Sequence, residues 1–172
     1  MAKRKIVTDG DITLRQMCSP IDRITPRIRV LAEDMIETMR DADGVGLAGP
    51  QVGVLRRIVV IETTPGETYV LINPEITETS GEQTGSEGCL SVPGKSGTVT
   101  RPMNVTVEAL DIDGNAITVR GEGLLARCLC HEIDHLDGIL YTDIAESMDE
   151  PAEEEAEPER ESPLHRRYRH RK

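Results

Sequence analysis

His131-Glu132-Ile133-Asp134-His135 sets two imidazoles four residues apart around a carboxylate. On a helix those positions share a face, so both histidines can converge on one cation while Glu132 projects beside them. A carboxylate so placed can take a proton from a water and pass it to a leaving group. A catalytic metal site needs three protein ligands and an open position, whereas a structural zinc site is usually closed by four. A third ligand must therefore come from elsewhere in the chain. The competing reading makes both histidines ordinary residues at the edge of a core, satisfied by backbone carbonyls.

The elements that must position this motif can be read from spacing. A helix is expected from about Gly123 to Leu136, with Gly138 placed to stop it. Along it Leu124, Cys128, His131 and His135 form one stripe, and Leu125, Leu129, Glu132 and Leu136 the adjacent one. An earlier helix should begin with Thr25 as N-cap and Pro26 at its first position, carry Ile28, Leu31, Met35 and Met39 on one face, and end at Gly44. The runs 57–61 and 69–72 read as strands. Val105–Leu110 and Ala116–Val119 flank Asp113-Gly114, a strong hairpin signal. Strands grouped before a late helix, joined by hairpins and not by crossovers, predict an α+β fold.

The chain has 172 residues, enough for one well-developed core. It lacks Phe and Trp, so that core must be built from Ile, Leu, Val and Met. A net charge of −11 argues against a broad DNA- or RNA-binding surface. No apolar run is long enough to span a membrane, and the basic start lacks the apolar stretch of a signal peptide, so a cytoplasmic protein is expected. The four cysteines suggest no disulfide framework. Acidic, proline-interrupted sequence after Glu146 gives way to a basic stretch from Arg166. The expected division is a catalytic domain over 1–146 and a charged, disordered tail over 147–172.

Two further motifs accompany the histidines: Glu87-Gly88-Cys89-Leu90-Ser91, and Gly44-Val45-Gly46-Leu47-Ala48-Gly49-Pro50-Gln51. With these three segments, in this order, the chain resembles the peptide deformylases over roughly residues 5–145. That family removes the formyl group from the initiator methionine of nascent polypeptides. The resemblance implies mostly antiparallel strands around a central metal-bearing helix, and N-formylmethionyl nascent peptides as substrate. It assigns Cys89 as third ligand beside His131 and His135, with Glu132 as proton carrier. Gln51, through its side-chain amide, and Leu90, through its backbone N–H, become donors to the developing oxyanion.

Gly44 and Gly46 then let backbone pass close to substrate, and Val45, Leu124 and Cys128 line the methionine pocket. Glu87 and Arg101 brace the metal loop; Asp134 receives no role. Gly49 departs from the family's usual alanine, which suggests a looser loop. One thiolate and two imidazoles would suit zinc by ligand type alone. The resemblance implies Fe²⁺ instead, with zinc, nickel or cobalt as substitutes. Cys18 reads as a small buried hydrophobe. Cys130, roughly 100° around the helix from His131, is poorly placed to ligate.

A monomer is the default expectation, and the basic terminus suggests transient ribosome contact. Two rivals remain at this stage. A general His-Glu-x-x-His peptidase would not need Cys89. A closed structural zinc module would need a fourth ligand and no Glu132.

Overall fold

In the computed structural model, which describes residues 2–149, Ile58-Val59-Val60-Ile61 forms a strand in which every side chain is buried. An antiparallel strand is usually apolar on alternate positions; a continuous run means that both faces are covered. Val59 and Ile61 pack towards one helix with Leu129, Ile133 and Leu136. Ile58 and Val60 pack towards another with Leu31, Met35 and Met39. The sheet is thus the middle layer between two helices, and its buried residues are aliphatic, as the lack of Phe and Trp requires.

The elements are α1 (Pro26–Asp41), β1 (Gly46–Ala48), β2 (Ile58–Ile61), β3 (Tyr69–Ser80), β4 (Gln83–Cys89), β5 (Val92–Arg101), β6 (Asn104–Leu110), β7 (Ala116–Glu122), α2 (Leu124–Leu136) and β8 (Ser147–Met148). One sheet runs β1-β2-β3-β6-β7 and the other β4-β5-β8, and all named strand pairs are antiparallel. The fold is α+β, mostly antiparallel strands around α2. Among the described residues no helix is long and apolar enough to cross a membrane.

Several expectations are met closely. The β6–β7 hairpin closes with Leu110 opposite Ala116 and Gly114 at φ +83°. In α1 the buried face holds Leu31, Met35 and Met39, with Ile28 packed at its margin. The helix ends differ. Thr25 has the extended backbone of an N-cap, but its side chain makes no capping bond. At the other end Asp43, not Gly44, takes the left-handed conformation (φ 54°). The N–H of Gly44 then bonds back to the carbonyl of Met39.

The β4–β5 hairpin was not anticipated. Its strands, Gln-Thr-Gly-Ser-Glu-Gly-Cys and Val-Pro-Gly-Lys-Ser-Gly-Thr-Val-Thr-Arg, are polar and rich in glycine, which hides them from propensity. Beneath it Leu14, Val92, Val99, Leu140 and Tyr141 form a small core of their own. The expected boundary at residue 146 also shifts. Ser147 and Met148 pair with Thr98 and Gly97 of β5, and Asp149 N–H donates to the Ser96 carbonyl. The remainder of the proposed tail, 150–172, lies outside the described residues.

Candidate metal centre and cleft

Cys89 ends β4, while His131 and His135 sit on successive turns of α2. Their potential ligand atoms all lie within 4.8 Å of one another, with Cys89 Sγ 3.3 Å from His135 Nε2. Cys128 and Cys130 do not join this group, so among the described residues no fourth ligand closes it. Both are buried, and burial pushes both thiols up, Cys130 to about 11. All four cysteines are free, and Cys18 is a core residue.

His131 is not satisfied by a backbone carbonyl. Its Nδ1 lies 2.8 Å from Glu87 Oε1, which can only accept, so Nδ1 carries the proton and Nε2 is left for another partner. Burial works against a charged His131, yet hydrogen bonding to Cys89 and Glu87 outweighs it and lifts the imidazole to about 10. His135 is held well below its ordinary value, by burial and then by the charge of His131, and so favours the neutral, ligating form.

Glu132 is 4 % exposed, and its Oε2 has no hydrogen-bond partner. Burial lifts its carboxyl to about 7. A buried, unpartnered carboxylate beside one thiol and two imidazoles is what a cation with a water would satisfy. The donor set suits a soft or borderline divalent metal.

The cleft in front of the ligands has a volume of about 440 Å³. Gly44, Val45, Gly46, Leu124 and Cys128, each expected to contact substrate, all line it together with Gln51, Leu90 and Glu132. Gly46 is required by space: a methyl there would overlap the Glu132 carboxylate and lie 2.8 Å from Cys128 Sγ. Gln51 is 1 % exposed and oriented by both ends of its amide. Oε1 accepts from the Ala48 N–H at 2.9 Å, which turns Nε2 towards Ser91 Oγ (3.1 Å) and Cys89 Sγ (3.5 Å). The loop is not loosened at Gly49. The carbonyls of Arg56 and Val54 come within 2.7 and 2.8 Å of where a methyl would stand, so the chain has closed over the missing group.

Glu87 and Arg101 form the expected pair through two hydrogen bonds, both 2.9 Å, Nε to Oε2 and Nη2 to Oε1. At 4 % and 7 % side-chain exposure it is a buried pair and not a surface one. Burial raises the Glu87 carboxyl, but bonds from His131 and Arg101 overcome it and hold it at about 2. Three residues escaped the sequence reading. Asp134, given no role, accepts from Arg101 Nη1 at 2.7 Å. Ser91, fully buried, receives the Gln51 amide. Arg127 donates from Nη1 to Glu87 Oε2 at 2.7 Å. The available signal was a charged residue on a helix flank that is otherwise apolar (Leu124-Leu125-Ala126-Arg127-Cys128-Leu129), since a buried charge must find a partner.

Comparison with known proteins places this geometry in context. The sequence model described as "Polypeptide deformylase" matches residues 3–151. A peptide deformylase of Lachnoclostridium phytofermentans is 58% identical over 145 residues, 83% of this chain and 89% of that protein. The crystal structure of a peptide deformylase from Legionella pneumophila superposes with a TM-score of 0.81 at 48% identity, covering 83% of this chain and 86% of that one. A peptide deformylase from Synechococcus elongatus, solved in complex with actinonin, gives a TM-score of 0.80 at 40% identity, covering 86% and 85%.

Proposed function

Because the chain belongs to the polypeptide deformylase family, and is a hydrolase that removes the N-formyl group from nascent peptides, we propose that Cys89, His131 and His135 hold its metal and that Glu132 moves the proton. The observation that carries this reading is the convergence of three ligand atoms within 4.8 Å beside a buried carboxylate with an unpartnered oxygen. When bound, the cation supplies Lewis acidity and brings the deprotonation of a water towards neutral pH. Glu132, lifted to about 7 by burial, accepts the proton of the attacking water and returns it to the departing amine, which leaves formate and a free N-terminus.

As the formyl carbonyl becomes tetrahedral, its oxygen gains negative charge. Gln51 Nε2, fixed by the Ala48 and Ser91 contacts, donates to it together with the backbone N–H of Leu90. Gly46 leaves room for the Glu132 carboxylate, and a formyl carbon, which bears only hydrogen besides oxygen and nitrogen, fits a tight site that a bulkier acyl group would not. Val45, Leu124 and Cys128 offer the methionine side chain an apolar wall. Glu87, gripped by Arg101, keeps His131 in its ligating tautomer.

The metal in the cell is Fe²⁺ in this reading. That choice follows the family, against the ligand types, which alone would favour zinc. The enzyme works as a monomer in the cytoplasm, and the basic residues from Arg166 onward make a transient contact with the ribosome. Formate release from formyl-Met-Ala-Ser tests the proposal, using protein purified without oxygen and loaded with Fe²⁺ or Ni²⁺. Release from the formyl peptide and none from acetyl-Met-Ala-Ser is expected. Metal-loaded protein that releases no formate would overturn the assignment of the site.

A further inference from the structure

Arg127 has no part in the chemistry above, yet it lies 7 % exposed in the wall of the cleft. Its guanidinium leaves α2 and crosses to the β4–β5 hairpin. Nη1 donates to Glu87 Oε2 (2.7 Å) and to the Val99 carbonyl (2.9 Å), and Nη2 to the Gln83 carbonyl (3.4 Å). The bond to Glu87 bears on the metal centre. One oxygen of that carboxylate takes Arg127 while the other meets Nδ1 of His131 at 2.8 Å. Arg101 spans both oxygens, so every acceptor position facing the protein is used.

The proposed ligands come from two elements that are distant in sequence: Cys89 from β4, and the histidines from α2. Their convergence depends on how the hairpin is held against the helix. Two arginine ties flank His131. Arg101 reaches from β5 to Asp134, three residues after it, and Arg127 reaches from four residues before it to β4 and β5. The two guanidinium charges offset the carboxylates of Glu87 and Asp134, so the network can stay ionised while buried.

We propose that Arg127 is a positioning residue of the metal centre: through Glu87 it orients His131, and it sets the strand that carries Cys89 against the helix that carries the histidines. The proposal rests on Cys89, His131 and His135 being the ligands. Its effect falls on metal binding first and on turnover second.

The test uses the full chain and its Arg127→Met, Arg127→Lys, Glu87→Gln and Arg127→Met/Glu87→Gln variants, each titrated with Co²⁺ against a chromophoric chelator. Arg127→Met should bind Co²⁺ about 10–100-fold more weakly, with altered visible absorption bands and a kcat for formyl-Met-Ala-Ser that falls more than KM changes. Arg127→Lys, which keeps the charge and an N–H donor group but not the planar fork, should recover part of the affinity. In the Glu87→Gln background the loss from Arg127→Met should shrink, because the path is already cut. Wild-type affinity and bands in Arg127→Met, with only a lower thermal midpoint, would reduce Arg127 to a packing residue and overturn the proposal. So would strictly additive losses in the double variant. If Arg127→Met does not fold, Arg127→Lys alone and with Glu87→Gln is read by the same criteria. Co²⁺ binding that survives His131→Ala would instead sink the ligand assignment itself, and this proposal with it.

Discussion

Glu132 combines three properties that rarely coincide in a residue kept only for stability: deep burial, an unpartnered oxygen and a carboxyl lifted to about 7. Glu132→Gln keeps the shape and removes the proton acceptor. It should leave metal content unchanged while kcat drops about 10²–10⁴-fold, and wild-type turnover in that variant would exclude the proposed role. Cys89→Ala separates a deformylase site from a general His-Glu-x-x-His peptidase. Loss of both metal and formate release is expected, measured by metal analysis and by assay on the same sample. Gly46→Ala should fold, because the atoms its methyl would meet are the ends of the Glu132 and Cys128 side chains and not backbone, but it would displace the Glu132 carboxylate. A shift of about 1 Å in a reacting group commonly costs about 100-fold in rate, so kcat should fall on that scale with metal retained.

At the scale of elements, how readily each could be read from sequence follows the range of the forces that form it. Helix α2 was legible because its 3.6-residue period and the Gly138 stop are local. The β6–β7 hairpin was legible because Asp113-Gly114 dictates its turn. The β4–β5 hairpin was not, since Glu87 and Cys89 look like motif residues in a loop and its turn-prone residues Gly85, Ser86, Gly88, Pro93, Gly94, Ser96 and Gly97 lie inside strands. Tertiary contacts hold it, chiefly the Glu87–Arg101–Arg127 network and the small core around Val99 and Tyr141. A second tie links α1 to the segment between β2 and β3. Arg40 and the Thr68 hydroxyl both donate to Glu62, and these bonds hold its carboxyl at about 2. A carboxyl depressed by folding contributes stability above its ordinary value of 4.5, which is lost as the pH falls towards about 2. Glu62→Gln should therefore lower the thermal midpoint modestly at pH 6 and leave it unchanged near pH 2, a difference that melting curves at the two pH values would reveal.

For the whole molecule, a metal bound between Cys89 and the two histidines would tie the three-stranded sheet to α2 through one centre. Binding to the folded state alone stabilises it by mass action. Chelator treatment should lower the melting temperature, and restored metal should return it; a midpoint indifferent to both would argue that the site is not occupied in solution. What the amino-acid sequence determined by itself was the set of local patterns: the two helices, the β6–β7 turn, an aliphatic core, and three short motifs that carry the resemblance to the deformylases. Only the tertiary structure decided that Asp134 and Arg127 belong with Glu87 and that Gly46 must lack a side chain. It also decided that the space of the methyl absent from Gly49 is filled by the carbonyls of Val54 and Arg56. The Arg127–Glu87 contact joins residues 40 apart in sequence, and Gly46 meets Glu132 from a different element. Periodicity and turn chemistry act over a few residues, whereas a buried ion's partners and the free space beside a glycine exist only once distant segments have packed together.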